Sequence, residues 1–340
     1  MTPNISETLS SDALKPIQAS LIFNPSAGWH ISTPDLLQMI VLEMQSIKIV
    51  PEVFVAQPGI DLEEVARDAI RRGISTIIVS GGDGTTDSVM RALVATPAVL
   101  GIIPSGTQNN TARSLGIPLD DLSQAVRILR FGRKLKVDVG LAHCNNQRQW
   151  FLETASVGLM SALYPAADGI QHGELGKIGD FLATLIRSKP ARMHMILDHG
   201  HQEFDTLAHL VLVSNMPYIG KQFQPASDIS FDDSLLDLFV YANLNKLELI
   251  EYAVEATSRI PEDPRILHFR VSNAVIESDP KMPVMVDGMI LGEDTLHVSL
   301  QRQALSVMAG EAASSNLIAR SEAILKENHE ERREARTIHG

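Results

Sequence analysis

Cysteine is almost absent from the sequence, which has only Cys144 among its 340 residues. An intrachain disulfide is therefore impossible, and since there is also no zinc-type ligand cluster, a reducing cytoplasm fits the chain best. Long apolar runs are lacking as well, because nothing approaches the roughly 18 to 20 apolar residues of a membrane-spanning helix. Residues 1–16 lack the basic and apolar segments of a signal peptide. We therefore expect a cytoplasmic protein without a transmembrane segment.

Basic residues are outnumbered by acidic ones. The sequence has 29 Lys and Arg against 41 Asp and Glu, which gives a formal net charge of −12. A nucleic-acid-binding protein would show a basic footprint, so we expect no nucleic-acid partner. The same charge gives no overall attraction to an anionic membrane, and any contact with lipid is therefore expected to be local and transient.

The rest of the composition is that of an ordinary globular protein, with 44% hydrophobic and 21% charged residues. The chain is long enough for two domains. After a polar tail over residues 1–17, strand and helix signals alternate over residues 18–142, which predicts a parallel sheet covered by helices. The clearest helix runs from Asp61 to Arg72 and begins with a capping-box-like pattern.

Residues 143–310 have a different pattern, because several segments alternate with period two as half-buried antiparallel strands do. The predicted strands are Trp150–Val157, His194–Asp198, Leu207–Val213, Leu235–Tyr241, Leu267–Glu277, Met282–Leu291, Leu296–Leu300 and Ala304–Met308. Two helices are predicted among them, near Lys177–Ser188 and Lys246–Ser258. A charged tail follows over residues 311–340, and the sequence leaves open whether this tail packs back on the first domain.

A glycine-rich loop, Gly81–Thr85, joins the predicted strand Thr76–Ser80 to a helix. Glycines at such a turn let the backbone approach a ligand closely and leave N–H groups free to bind an anion. The acid within the loop, Asp83, is more than a simple phosphate cradle needs, and it indicates a metal-bridged polyphosphate or a proton acceptor. The alternative is a structural turn in which Asp83 caps the helix.

Two further loops follow predicted strands of the first domain, at Asn24–Gly28 and at Pro104–Asn110. In an open parallel sheet, ligands bind beyond the carboxyl ends of the strands. If the three strands are neighbours, the three loops line one crevice. Their amides, hydroxyls and glycines suit a nucleotide polyphosphate better than a small metabolite.

These motifs resemble, in the same order, those of the diacylglycerol kinase catalytic-domain family, which includes bacterial lipid kinases and sphingosine kinases. Asn24–Gly28 is similar to its Asn-Pro-x-Ser-Gly loop, and Gly81–Thr85 matches its Gly-Gly-Asp-Gly-Thr. Residues 104–115 match its Pro-x-Gly-Thr-x-Asn-x-x-Ala-Arg-x-Leu. Further similar segments are Val137–Gly140, Phe151–Gly158, Ser214–Pro217 and Asp287–Gly288. The resemblance covers roughly residues 18 to 310.

The resemblance implies an α/β nucleotide-binding domain with a parallel sheet, a C-terminal and mainly antiparallel β-sandwich domain, and an active-site cleft between them. It implies ATP and Mg²⁺ as cofactors and phosphoryl transfer to the hydroxyl of a lipid substrate at a membrane surface. The nucleotide-binding positions are then Asn24, Pro25, Ser26, Ala27, Gly28, Gly81, Gly82, Asp83, Gly84, Thr85, Thr86, Asp87, Ser88, Thr107 and Asn109.

The resemblance also implies a structural Mg²⁺ at an Asp-Gly-x-Leu-Asp turn of the second domain, which corresponds here to Asp233–Asp237. Asp233 would supply the carboxylate ligand, with the carbonyls of Ser230 and Leu235 beside it. This chain has Ser234 where the family has glycine, and a serine at a positive φ would be strained. The alternative is an acidic turn exposed to solvent.

Two acids of the family pattern are missing. The family has Asp-Gly-Glu near the end of the second domain and is thought to use that glutamate as the proton acceptor, whereas this chain has Asp287-Gly288-Met289. The family also commonly has a glutamate where this chain has Ser88. We predict Asp287 as the best remaining acid for orienting the acceptor hydroxyl, with Asp83 acting through Mg²⁺, and these two are the predicted catalytic residues.

The leading functional prediction is therefore an ATP- and Mg²⁺-dependent lipid kinase for a diacylglycerol-like or sphingoid-like acceptor, its activity lowered by the missing glutamate. Two alternatives stay open. One is a nucleotide-binding regulatory protein that is catalytically weak or silent, and the other is a kinase of a soluble alcohol on the same fold, since fold does not determine substrate. The sequence also leaves open whether the chain forms a homodimer.

Overall fold

The computed structural model describes residues 14–27, 33–163, 187–219, 224–226, 228–255 and 263–313. The chain divides into two compact units. Of the residues that the structure describes, the first unit takes those within 14–136 together with 304–313, and the second takes those within 137–303.

The first unit is built on a parallel sheet with the strand order β4-β3-β1-β2. Its strands are β1 (Ile17–Phe23), β2 (Ile49–Val55), β3 (Thr76–Gly81) and β4 (Val99–Pro104). The central strand β1 pairs in parallel with both β2 and β3, and β3 pairs in parallel with β4. The end of β15 (Leu296–Ala309) lies parallel to the outer side of β4. The predicted parallel sheet is therefore confirmed.

Helices connect the strands of this sheet. In the described part of the first unit they are α1 (Thr33–Ser46), α2 (Leu62–Arg71), α3 (Asp83–Leu93), α4 (Asn110–Ser114) and α5 (Leu122–Phe131). The predicted cap of α2 is present, because the Asp61 side chain accepts hydrogen bonds from the backbone N–H groups of Glu63 and Glu64. With a helix-covered sheet, the central strands carry consecutive apolar residues, and Ile77, Ile78 and Val79 are all fully buried.

The second unit is mainly antiparallel, as predicted. Its strands are β5 (Arg133–Cys144, which begins in the first unit), β6 (Gln147–Phe151), β7 (Thr154–Gly158), β8 (Ala191–Leu197), β9 (Gln202–Ser214), β10 (Leu236–Ala242), β11 (Ile266–Val271), β12 (Asn273–Asp279), β13 (Val284–Val286), β14 (Met289–Gly292) and the first part of β15. The helix α6 (Lys246–Glu255) follows β10. Alternate residues enter the core, and on β8 these are Ala191, Met193, Met195 and Leu197.

Three segments predicted as single strands are in fact pairs of strands. Trp150–Val157 is divided between β6 and β7, Leu267–Glu277 between β11 and β12, and Met282–Leu291 between β13 and β14. The last break lies at Asp287 and Gly288, whose φ angles are 40° and 81°. Two consecutive positive φ angles are what a two-residue Asp-Gly hairpin turn requires, so the apolar pattern ran across a turn that the sequence itself contains.

The reverse error occurs near the end of the second unit, where Leu296–Leu300 and Ala304–Met308 form the single strand β15. The exposed polar residues 301–303 interrupt the apolar pattern but not the strand. The predicted helix near Lys177–Ser188 lies almost entirely outside the described residues, as does the tail after Ala313. Among the residues that the structure describes, no helix has the length and apolarity needed to cross a membrane.

Candidate nucleotide-binding and catalytic site

The three predicted loops follow β1, β3 and β4, which are adjacent in the parallel sheet of the first unit. The loops begin in register with one another. The backbone N–H of Asn24 donates to the carbonyl of Ser80 over 2.8 Å, and that of Ser105 donates to the carbonyl of Gly81 over 3.0 Å. All three loops therefore start at the carboxyl edge of the sheet, where ligands of open α/β sheets bind.

Direct contacts tie the three loops together. The Asn24 Nδ2 donates to Thr85 Oγ1 over 2.8 Å, which joins the first loop to the second. The backbone N–H of Thr111 donates to Asp83 Oδ1 over 3.2 Å, which joins the second loop to the helix after the third. The condition set by the sequence, that the three strands be neighbours, is met, and the loops form one connected surface.

Two glycines explain how closely the second and third loops approach. A methyl group added at Gly106 would lie 2.3 Å from the Cα of Gly82, and one added at Gly82 would lie 3.1 Å from the Cα of Gly106. A methyl group at Gly81 would lie 2.7 Å from the Cβ of Thr85. At Gly81 and Gly106 the protein's own packing leaves no room for a side chain, and at Gly82 the space is tight.

Packing does not explain the glycine at position 84, Gly84. It is exposed, and a methyl group added there would meet no atom within 4 Å. It lies in the first turn of α3, where glycine costs helix stability relative to alanine. A glycine that is unfavourable for the helix and unnecessary for packing is consistent with close approach of a ligand to the backbone at this point.

Asp83 is the first residue of α3, and the N-cap residue of that helix is Gly82. The alternative in which Asp83 occupies the cap position of its own helix is therefore wrong. Its carboxylate instead accepts from the N–H of Thr111, in the first turn of α4, and so lies between the second and third loops.

The hydroxyl groups of Thr86 and Ser88 are turned back on α3. Thr86 Oγ1 donates to the carbonyl of Gly82 over 3.1 Å, and Ser88 Oγ donates to the carbonyl of Gly84 over 2.8 Å. Asp87 forms an ion pair with Arg91 one turn later. In the first loop, the backbone N–H of Ser26 donates to Asn24 Oδ1 over 3.0 Å.

Three other predicted nucleotide-binding positions lie in the first loop. Pro25 and Ala27 lie in the same turn as Ser26, and Gly28 lies outside the described residues.

Thr107 and Asn109 have different surroundings in the third loop. Thr107 is exposed and precedes α4 by three residues. Asn109 is buried and left-handed, with φ of 54°, and both ends of its amide bind Gly106: Oδ1 accepts from the Gly106 N–H over 2.9 Å, and Nδ2 donates to the Gly106 carbonyl over 2.8 Å. Asn109 therefore holds the loop in place, and Thr107 is the residue that offers a hydroxyl to solvent.

In the second unit, Asp287 is held by the backbone of residues 152–154, which lead into the neighbouring strand β7. Its carboxylate accepts hydrogen bonds from three successive N–H groups, those of Leu152 at 2.8 Å, Glu153 at 3.1 Å and Thr154 at 2.7 Å. These bonds fix the position of the carboxylate and orient the turn.

Met289 begins β14, two residues after Asp287, and 42% of its surface is exposed. Its neighbour Ile290 is also exposed. Met289 is therefore not part of the packed core, and no packing requirement explains a methionine at this position.

The predicted metal-binding turn contains an internal cation. The guanidinium of Arg270 forms an ion pair with Asp233 Oδ2, and the N–H of Leu235 donates to Asp233 Oδ1 over 3.0 Å. The Asp233 side chain is fully buried beside Arg270, whereas Asp228 of the same acidic segment is exposed. In the described part of the chain, no three His, Cys, Asp or Glu side chains form a group that could hold a metal ion. At the predicted turn, the Asp233 oxygen that a divalent ion would use already has the Arg270 guanidinium as its cationic partner.

Two residues that contact this turn, Arg270 and Asp138, were not predicted from the sequence. Arg270 lies on β11, far from the turn in sequence, and nothing in its local pattern indicates a partner. Asp138 is fully buried and accepts from the N–H groups of Ser234 over 2.7 Å and of Gln303 over 2.6 Å. Burial raises the pKa of Asp138, and these two hydrogen bonds oppose that rise. An acid within the apolar strand signal of Val137–Gly140 was the available clue.

Comparison with known proteins gives two adjacent family matches. Residues 18–142 match the model described as diacylglycerol kinase catalytic domain. Residues 166–309 match the model described as YegS C-terminal NAD kinase beta sandwich-like domain. The first match contains all three loops, and the second contains Asp233, Arg270 and Asp287.

Individual relatives agree with these matches. A diacylglycerol kinase of Bacillus subtilis is 26% identical over 306 residues, which cover 87% of this chain and 98% of that protein. An Enterobacter protein named "Probable lipid kinase YegS-like" is 26% identical over 280 residues, which cover 80% of this chain and 90% of that protein. A crystal structure of a diacylglycerol kinase from Bacillus anthracis has a TM-score of 0.69 at 23% identity and covers 88% of this chain and 99% of its own. That structural likeness establishes the fold.

Proposed function

The chain belongs to the diacylglycerol kinase catalytic-domain family, and on that premise we propose that it is an ATP- and Mg²⁺-dependent lipid kinase. The proposed reaction transfers the γ-phosphoryl group of ATP to the hydroxyl of a diacylglycerol-like or sphingoid lipid. The proposed location is the cytoplasm, with transient contact at a membrane surface where the lipid is met. The observation that supports nucleotide binding best is the connected surface of three loops with an unexplained glycine, Gly84, in its first helical turn.

The proposed roles follow from what each side chain already does. Asn24 and Thr85 fix the first loop against the second, and Asn109 fixes the Gly106 loop, so these residues preorganise the backbone. The N–H groups at the start of α3 would face the phosphates, as helix N-termini favour. Mg²⁺ bound with the nucleotide would neutralise phosphate charge, and Asp83 is the carboxylate of these loops placed to hold it. Phosphoryl transfer has a loose transition state, so such positioning supplies most of the catalysis.

One assay tests this proposal. The purified chain is incubated with radiolabelled ATP, Mg²⁺ and mixed micelles containing diacylglycerol, a sphingoid base or a soluble alcohol, and the products are separated by chromatography. We expect a labelled lipid that is absent with Asp83→Ala. A labelled soluble product would favour the soluble-alcohol alternative. ATP binding by calorimetry with no labelled product would contradict the kinase proposal.

A second candidate function, nucleotide binding without turnover, is favoured by the surroundings of Asp287. The acid that we predicted as the remaining base is bound by three backbone N–H groups. The position at which the family carries glutamate is the exposed Met289, and a thioether cannot accept a proton. A positioned general base contributes about 10²- to 10⁴-fold to rate, so this chain could bind ATP well and turn it over slowly.

The substitution Met289→Glu tests the missing base directly. We expect turnover to rise by about tenfold or more, because a glutamate would restore a proton acceptor at the family position. Met289 is exposed, so the change should leave the melting temperature nearly unaltered. The measurement is the initial rate of lipid phosphorylation at saturating ATP. Met289→Gln is the matched control, and an equal rate in Gln and Glu variants would show that the site does not use a base here.

A further inference from the structure

The Asp233 carboxylate lies in a small network of charges in the second unit. Strands β10 and β11 are antiparallel, and their register places Arg270 directly opposite Asp237. From that position the Arg270 side chain reaches Asp233 through Nη2, and its Nε lies 3.8 Å from Asp237 Oδ1. His268, on the same strand, places Nε2 2.7 Å from the same oxygen of Asp237.

Both carboxylates are buried. The side chains of Asp233 and Asp237 have no exposed surface, whereas Arg270 is 35% exposed. Two buried carboxylates at close range need a positive charge, because an uncompensated buried ion is strongly unfavourable. The guanidinium of Arg270 supplies that charge to Asp233 directly and to Asp237 at longer range.

Hydrogen bonds from two backbone N–H groups fix the backbone of the turn. Ser234 has φ of 68°, a conformation that favours glycine, and its N–H donates to Asp138 Oδ2 over 2.7 Å. The N–H of the next residue, Leu235, donates to Asp233 Oδ1 over 3.0 Å. Protein donors thus hold the positive-φ backbone and the second oxygen of Asp233.

We propose that Arg270 is the resident cation of the turn formed by residues 230–235, and that this chain maintains the turn without a divalent metal ion. A metal at the Asp233 oxygen that binds Arg270 would bring two positive charges into contact, so the two occupants exclude one another. The proposal concerns the second unit alone and does not depend on whether the chain is a kinase.

The test measures stability and metal binding without nucleotide. For the wild-type chain, we expect the same melting temperature in EDTA, Mg²⁺ and Mn²⁺, and no bound Mn²⁺ by electron paramagnetic resonance. For Arg270→Ala, we expect a lower melting temperature in EDTA that rises with Mg²⁺ or Mn²⁺ concentration, together with a bound Mn²⁺ signal. That signal should disappear when Asp233→Asn is added to Arg270→Ala.

Two controls separate this effect from general loss of an ion pair. Arg192→Ala removes an arginine that pairs with Asp205 on neighbouring exposed strand positions, and it should create no metal dependence. Arg270→Lys keeps a positive charge, so it too should bind no Mn²⁺. The wild-type protein tests the proposal even if Arg270→Ala does not fold. A wild-type melting temperature that falls in EDTA would overturn the proposal. So would Mn²⁺ binding by the wild-type chain that is lost in Asp233→Asn. A folded Arg270→Ala without metal response would also overturn it.

Discussion

Asp83→Asn is expected to lower lipid phosphorylation by about 100-fold or more while the protein remains folded. Asparagine keeps an oxygen that can accept the hydrogen bond from the Thr111 N–H, so the link between the second and third loops is retained. What the substitution removes is the negative charge that we propose holds Mg²⁺ at the phosphates. The measurement is kcat with saturating ATP and Mg²⁺, with the melting temperature measured alongside.

A comparison of two variants at Asp83 separates charge from structure. Asp83→Ala removes both the charge and the acceptor for Thr111, so it should lose the same activity and also some stability, roughly 1 kcal/mol for one hydrogen bond. Asp120→Asn, at an exposed aspartate between α4 and α5, is the matched control and should keep full activity. An Asp83→Asn variant with wild-type kcat would show that Asp83 has only the structural role of joining the loops.

The nucleotide loops could be predicted from the sequence because their evidence is local. A β-branched run such as Ile77–Val79, followed by glycines and a helix with an apolar face, can be recognised within a dozen residues. The strand order is not local, however, and whether β1, β3 and β4 are neighbours had to wait for the structure. The role of Asn109 was also hidden, because an asparagine that binds its own loop and one that binds a ligand look alike in sequence.

The second unit was harder to predict, for two physical reasons. Its key contacts join distant residues, and the pair Arg270 and Asp233 meets only because β10 and β11 are neighbours. Apolar periodicity also continues through tight turns, which is why β13 and β14 were predicted as one strand. The turn signal Asp287-Gly288 was present in the sequence. Because Asp287 was interpreted as an acid of the family motif, the dipeptide was not recognised as a hairpin turn.

The surroundings of Asp287 change the interpretation of the missing glutamate. In the sequence, Asp287 was the natural substitute, because it is the nearest acid to Met289. In the structure it orients the turn that carries Met289, with its oxygens bound by Leu152, Glu153 and Thr154. We therefore regard Asp287 as a positioning residue, and Met289→Glu is the variant that tests for a missing proton acceptor.

Substitutions at two glycines, one in the third loop and one in the second, test the packing of the loops and the binding of the nucleotide separately. Gly106→Ala would place a methyl group 2.3 Å from the backbone of Gly82, and neither backbone can move without displacing its loop. We expect a loss of unfolding free energy of about 1 to 3 kcal/mol, as for overpacked sites, together with loss of ATP binding. The measurements are chemical denaturation and calorimetry with ATP and Mg²⁺.

Gly84→Ala is the matched opposite, because the added methyl group meets no atom of the protein within 4 Å. Alanine is favoured over glycine in a helix by about 0.5 to 1 kcal/mol, so the protein should be as stable as wild type or slightly more stable. If phosphates approach the backbone at this point, the same methyl group should raise the Kd for ATP by about tenfold or more, equivalent to roughly 1.4 kcal/mol. The substitution is thus expected to raise or preserve stability and to weaken ATP binding, and only a ligand at this turn produces the weaker binding. Unchanged ATP affinity in a stabilised Gly84→Ala variant would therefore place the nucleotide elsewhere.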